Sequence, residues 1–195
     1  MSAMIQGTEE WLQYRRNKIG ASDAPIIMGE SPWKTSFELL KDKIFGTLTE
    51  CTPWMQRGID LEETARECFE NMTGIIFVKD VIVHPTYEWM IASLDGIDIE
   101  QKNILEIKCP GKQDHLSAKN GKIPPKYNAQ LQHQMEVCQL GQVHYFSFDG
   151  SNGIHLIAYR DDKYIKEMIE KEKVFWNVLQ EELSKEQNKI TAQES

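Results

Sequence analysis

Apolar and polar residues change period several times along this chain, and each change outlines an element. Over residues 8–18, Trp11, Leu12 and Arg15 share one helical face behind Thr8, a residue able to cap it. A second short helix is predicted over 24–28, after the turn Ile19-Gly20-Ala21-Ser22-Asp23. Ser22 or Asp23 serves as its cap, and Pro25 sits in its first turn. A third covers 35–45 and stops at Gly46. A longer one covers 55–73, with Gly58, Leu61, Ala65, Cys68 and Phe69 as its packing stripe and Gly74 at its end. The pattern then alternates. Residues 75–84 and 89–94 read as antiparallel strands, and 93–99 with 104–108 as a hairpin. Helices return at 114–119 and 124–138, and a second hairpin pairs 142–148 with 153–159. A long helix then runs over 161–183, turning Tyr164, Met168, Phe175, Trp176 and Leu179 to the core. Residues 184–195 are polar and are expected to fray. No repeat or linker intervenes, so residues 1–195 read as a single α/β domain with a central mixed sheet flanked by helices.

Composition narrows the class. The 195 residues suffice for one real core, and 41% apolar with 27% charged is ordinary for a soluble globular chain. No apolar run approaches the ~20 residues of a membrane span. The N-terminal residues 1–7 have neither the basic start nor the apolar centre of a signal peptide, so a cytoplasmic location is expected. Cys51, Cys68, Cys109 and Cys138 show no C-x-x-C spacing, which argues against a zinc site, an iron–sulfur cluster or a disulfide framework. Cys109 is expected to act as a small hydrophobe. A net charge of −8 argues against a generally DNA-adhesive surface. It leaves room for a local positive channel with salt-sensitive binding.

The chemistry gathers on the hairpin. Its first strand carries Asp95, and its second reads Ile104-Leu105-Glu106-Ile107-Lys108. Alternation puts Ile104, Glu106 and Lys108 on one face and Leu105 and Ile107 on the other. A twisted hairpin brings Asp95 to the same half-buried face. Two adjacent carboxylates repel unless a cation lies between them, and hard oxygen ligands suit Mg²⁺ or Mn²⁺. Lys108 beside them suits orienting or deprotonating a water, and stabilising a phosphoryl oxygen. An ordinary charged strand has the same pattern, so the decision rests on the remaining chain. Glu62, one turn after Gly58, either faces that site or pairs with Arg66 at i,i+4. Ser22 either caps its helix or offers a hydroxyl at an anion-binding helix start. Tyr127, Gln130 and Gln134 form an amide-rich face, suited to phosphates and sugars or simply to solvent.

Asp followed about ten residues later by Glu-x-Lys resembles the PD-(D/E)xK nuclease superfamily. Five segments in order sharpen the likeness: Trp11…Arg15…Ile19-Gly20-Ala21-Ser22-Asp23, Arg57-Gly58-x-x-x-Glu62-x-x-Ala65, Ser93-x-Asp95-Gly96, Leu105-Glu106-Ile107-Lys108-Cys109-Pro110, and Tyr127-x-Ala129-Gln130-x-Gln132-x-x-Met135. Together, over roughly residues 8–160, the chain resembles the lambda-exonuclease/YqaJ-type viral recombinase nucleases.

The resemblance implies a restriction-endonuclease-like fold and a set of roles. Asp95, Glu106 and the Ile107 carbonyl would hold metal, with Glu62 completing the site directly or through water; Lys108 would assist the attacking water. Two Mg²⁺ per site are implied, with Mn²⁺ as a substitute. Arg15 would hold a DNA 5′-phosphate, with Ser22, Ser93 and Gln130 as further donors. Met55, beside Trp54, stands where the family places an apolar wedge that splays the terminal base pair, although packing explains a Met equally well. The activity implied is processive 5′→3′ digestion of linear duplex DNA to mononucleotides, leaving 3′ single strands for annealing-type recombination. A ring-shaped homotrimer, a single-strand annealing protein as partner, and a phage or prophage gene in a bacterial host are also implied. One departure stands out. Asp114 occupies the place of a further basic phosphate contact, with Lys112 and His115 nearby. Two alternatives are kept: an exonuclease of the same superfamily with another polarity or substrate, and a non-catalytic DNA-end scaffold for the annealing protein. The retained Asp95, Glu106, Lys108 and Glu62 count against the scaffold.

Overall fold

A computed structural model describes residues 8–47 and 50–193. Its helix starts follow side-chain chemistry. The Thr8 hydroxyl accepts from Trp11 N at 3.2 Å and opens α1 (Glu9–Arg16). Thr35 and Glu38 cap each other reciprocally at the start of α3 (Ser36–Phe45). Thr52 caps α4 (Pro53–Thr73), so that helix begins two residues earlier than the apolar stripe indicates, with proline in its first turn. Gly46 and Gly74 end α3 and α4 at φ of 68° and 74°, a conformation open to glycine. Between α1 and α3 lie β1 (Ile19–Gly20) and the short α2 (Ala24–Ile27). On α1, Trp11 is buried, whereas Leu12 faces solvent rather than sharing its face.

The central strands differ in one respect from the expected pattern. The segments read as 89–94 and 93–99 form one continuous strand, β3 (Met90–Asp98), flanked in sequence by β2 (Phe77–Val83) and β4 (Ile104–Lys108). Next come α5 (Lys112–Lys119), a 3₁₀ turn at Pro125–Tyr127, and α6 (Asn128–Cys138). The proline pair explains why α6 does not start at residue 124: Pro124 precedes another proline and holds ψ at 130°. The second hairpin, β5 (Gln142–Phe148) and β6 (Gly153–Tyr159), matches expectation. The last helix, α7 (Asp162–Gln193), does not stop at Leu183. It continues through the segment expected to fray, which has no Gly or Pro within its helical part and is rich in Glu, Lys and Gln. Residues 194–195 lie outside the described residues. Among the described residues no helix is long and apolar enough to cross a membrane.

The six strands form a mixed sheet in the order β1-β3-β4-β5-β6, with β2 also pairing β3. Ile91 pairs with both β1 and β2, and Ile97 with both β2 and β4. Hence β1 and β4 share the edge of β3 opposite β2, one at each end. The registers leave 92–95 between them without a partner strand on that edge. Polar side chains enter near this fork, as described below. Gly96 beside it is required by packing: a Cβ there would lie 2.8 Å from the Phe77 Cβ.

Both sheet faces are covered, which corrects the expected half-buried face. On one side α2, α3, α6 and α7 pack residues such as Leu39, Met135, Met168 and Leu179 against Met90, Leu94 and Ile104. On the other, Ala65 and Phe69 of α4 pack with Phe77, Leu105, Ile107 and Phe146. Leu105 and Ile107 therefore share a face, as alternation predicts, but the Glu106 face is closed by α6, and Glu106 is 2% exposed. Placing a carboxylate there is costly without dedicated partners.

Candidate active site

The Gly96–Leu105 register sets Asp95 across from Glu106 at the fork. Asp95 Oδ2 accepts from Ile107 N at 2.8 Å, so a side chain takes a main-chain donor at the sheet's opening. Glu106 is held from three directions. Its Oε1 accepts from Gln130 Nε2 at 2.7 Å and from Lys108, and its Oε2 accepts from Gln134. Lys108 Nζ also donates to Gln130 Oε1 at 3.0 Å. The amide face of α6 is thus neither solvated nor free. Gln130 and Gln134 spend donors on Glu106, while Gln132 donates to the Tyr159 carbonyl at 2.9 Å.

Helix α4 brings the opposite wall. Glu62 borders the same cleft and pairs with Lys79 at 2.6 Å. Arg66 pairs with Glu63 instead and donates to the Asp95 carbonyl at 3.1 Å, so it is not the partner of Glu62. Arg57 donates to the carbonyls of Cys109 at 2.8 Å and Asp149 at 2.7 Å, fastening α4 to the end of β4 and the β5–β6 turn. The resulting cleft of about 480 Å³ has Asp95, Glu106, Ile107 and Lys108 on its floor, Met55, Gly58 and Glu62 on one wall, and Tyr127 and Gln130 on the other.

Charge here is unbalanced. Burial, and then the Glu106 charge, push the Asp95 carboxyl well above the ordinary carboxylate range; Glu62 adds to this and Lys108 only partly opposes it. For Lys108, burial disfavours the ammonium, but Glu106 and Asp95 outweigh that and hold its pKa up. Burial pushes the Cys109 thiol to about 11, so it is no thiolate at neutral pH. The donor set suits a hard cation: two carboxylates whose mutual repulsion a positive ion relieves, and the Ile107 carbonyl. Among the described residues no three His, Cys, Asp or Glu side chains form a ready cluster. Glu62 borders the cleft with its carboxylate paired to Lys79.

The expected phosphate donors divide. Arg15 donates to Ser22 Oγ and stands 3.9 Å from Asp23 Oδ1. Asp23 occupies the cap position of α2 but makes no cap bond; it accepts from Gly20 N at 2.9 Å and pairs with Lys43 at 2.9 Å. Burial opposes its charge, yet Lys43 and Arg15 keep its pKa below the usual value. Arg15, Ser22 and Ser93 do not line the cleft, whereas Gln130 does, with its amide engaged as above. Packing does not account for Met55, which is 47% exposed beside Trp54 at 69%. His115 is buried, with Ser147 Oγ at 2.9 Å and Asp149 at 3.4 Å, and Lys112 is exposed. Sequence alone did not single out Gln134 as a partner of Glu106, Lys79 as that of Glu62, or Arg57 as a fastener. The i,i+4 spacing of Gln130 and Gln134 was the one signal available.

Residues 10–140 match the model of the YqaJ-like viral recombinase domain. The protein YqaJ of Bacillus subtilis strain 168 is 33% identical over 181 residues, covering 87% of this chain; the chain spans 55% of that relative's length. A structure of LHK-Exo in complex with dAMP superposes with a TM-score of 0.80 at 30% identity, over 95% of this chain and 99% of the other. A second structure, of the Laribacter hongkongensis alkaline exonuclease LHK-Exo, gives 0.79 at the same identity and coverage. A phage-related exonuclease from Haemophilus somnus 129PT shares the fold at a TM-score of 0.59 and 19% identity, over 89% of this chain and 96% of the other. The matched span includes Glu62, Asp95, Glu106, Lys108, Gln130 and Gln134, all the residues that build the cleft's charged centre, and the chain belongs to the YqaJ-like viral recombinase family.

Proposed function

We propose that this protein is a metal-dependent nuclease that digests linear duplex DNA from its 5′ ends, releasing mononucleotides and leaving 3′ single strands for recombination by annealing. The observation that carries the reading is the meeting of Asp95, Glu106 and Lys108 in one cleft, with acidic charge left in excess. The 30%-identical relative is an alkaline exonuclease and binds dAMP, a mononucleotide of the kind such a reaction releases.

Asp95, Glu106 and the Ile107 carbonyl, with Glu62 directly or through water, would hold two Mg²⁺, or Mn²⁺ in their place. When bound, such ions supply activation of the attacking water and neutralisation of charge on the leaving 3′-oxygen. The chain's own residues do the remainder. Gln130 and Gln134 fix both oxygens of Glu106, so its lone pairs are preoriented. Lys108 stays an ammonium beside Glu106, placed to orient a water and to stabilise the phosphorane-like charge. Met55 would part the terminal base pair; its exposure at the cleft wall supports that role. Arg15, hydrogen-bonded to Ser22, offers a guanidinium fork for a 5′-phosphate, with Ser93 and Gln130 as further donors. A homotrimeric ring enclosing the duplex, a single-strand annealing partner, and action in the cytoplasm of a host carrying the phage or prophage complete the proposal.

The test is digestion of a linear duplex, labelled on one strand, with 5′-phosphate or 5′-hydroxyl ends, in Mg²⁺ and in chelator. Mononucleotides released from the 5′ side only with metal, and faster from phosphorylated ends, are the expected result. Release from the 3′ side would discard the polarity and keep the site. No cleavage in Mg²⁺ or Mn²⁺ would leave a DNA-end scaffold as the remaining reading.

A further inference from the structure

From the cleft outward, cations and aromatic rings alternate in contact. The Lys108 ammonium lies 5.3 Å from the centre of the Tyr127 ring, the Lys126 ammonium lies 5.3 Å from the same ring, and Lys126 in turn lies 5.0 Å from the ring of Trp33. Tyr127 is the last of these to line the cleft. Trp33 is 73% exposed, an unusual state for so large an apolar surface. It is not loosely presented: its main-chain N–H donates to Ser31 Oγ at 3.3 Å in the loop between α2 and α3. Packing gives no reason for an indole to stand there.

An alternation of positive charge and aromatic ring matches in kind the alternation of phosphates and bases along a polynucleotide. It is the arrangement by which proteins hold single strands, whose bases are free to stack; a duplex hides them. We infer that Trp33 and Lys126 form a subsite for an unpaired nucleotide of a DNA strand lying across the mouth of the cleft, Trp33 stacking on the base and Lys126 meeting the phosphate. The inference rests on the nuclease reading for its ligand. Asp114 enters as a gate on it: its carboxylate pairs with Lys126 at 2.6 Å and accepts from the Tyr127 hydroxyl at 3.2 Å, so a phosphate must compete with it. Removing that charge should therefore tighten binding, which a merely structural ion pair would not do.

The experiment is a titration with oligothymidylate, an unstructured single strand, read by tryptophan fluorescence in chelator, beside steady-state digestion of a linear duplex in Mg²⁺. Trp33→Ala should weaken oligothymidylate binding and raise KM about tenfold, with kcat within about twofold, and should remove most of the fluorescence change. Trp33→Phe should restore most of the affinity. Lys126→Ala should weaken binding and flatten the salt dependence by about one ion. Asp114→Asn should tighten it. Wild-type affinity and KM in Trp33→Ala would overturn the inference, as would weaker binding in Asp114→Asn. A wild-type protein that digests DNA but ignores oligothymidylate would overturn the subsite alone. One that binds the strand through Trp33 without cutting in any metal would overturn the nuclease reading and leave the subsite standing.

Discussion

Two buried acids, Glu106 and Glu172, are served by the same helix and treated in opposite ways. Glu172 of α7 is fully buried; its Oε1 lies 2.8 Å from His133 Nδ1, and His133 Nε2 donates to the Ile91 carbonyl at 2.9 Å. That acid has one dedicated partner, His133, whose charge opposes but does not outweigh the burial that pushes the Glu172 carboxyl above its ordinary value. Glu106 has a cation too, but it shares Lys108 with Asp95, and Glu62 is close enough to add further negative charge. Residues 133 and 134 are neighbours on α6, yet His133 bonds the Ile91 carbonyl and Glu172 while Gln134 turns to Glu106. In the core one acid meets one base, away from the cleft residues. A site that expects a ligand keeps an excess, and the excess marks it.

That contrast can be broken by mutation. The largest effect is expected at the cleft: Lys108→Ala and Asp95→Asn should each lower turnover by about 10²–10⁴-fold, measured on linear duplex DNA. Asp95→Asn should also leave the metal-free protein at least as stable as wild type in thermal melts, because it removes an acid that burial disfavours. A clear drop in melting temperature would make Asp95 a structural residue. In the core the pattern should invert. His133→Ala should destabilise by about 3–5 kcal/mol in urea unfolding, since it leaves a buried carboxylate alone.

Second-layer residues should fall between. Gln134→Ala should cost about 10–100-fold in activity with little loss of stability, by freeing one oxygen of Glu106. A stability loss as large as that of His133→Ala would erase the distinction between the two ends of α6. A pH series sharpens the core side. Burial lowers the pKa of His133, but the Glu172 charge outweighs it and raises the value above 6.5. Its contribution is therefore complete below about 6.5 and lost as pH rises through the raised folded value. Melting temperature should fall over that window in wild type and less so in His133→Gln. The smallest effect is expected at Lys79→Ala, a half-exposed partner of Glu62, at about twofold or less in activity.

Much of this was legible along the chain because it is local. Thr8, Thr35, Gly46 and Gly74 mark helix ends through short-range hydrogen bonding and backbone conformation, which neighbours in sequence suffice to specify. The alternation of residues 104–108 gave the face of Glu106 and Lys108 correctly. Less legible were features that depend on distant partners. Nothing in residues 89–99 shows that one strand, not two, crosses the sheet, because its continuity comes from pairing with β2 along its length. His115 resembles a spare phosphate ligand in sequence but is sealed between Ser147 and Asp149, residues more than thirty positions away. The polarity of the segment after Leu183 suggests fraying, yet it is helical through Gln193, since Glu, Lys and Gln are good helix formers.

By itself, then, the sequence determined the kinds and order of elements, the charged hairpin, and the family that five spaced motifs resemble. It could do so because periods, caps and motif spacings are properties of the covalent chain. Only the tertiary structure decided which polar groups are free. It turned Gln130 and Gln134 onto Glu106, gave Glu62 to Lys79 rather than Arg66, left Trp33 and Met55 uncovered, and opened the edge of β3 at Asp95. A hydrogen-bond partner is set by distance in space, and residues far apart in the chain reach that distance only when the whole sheet and its covering helices have closed.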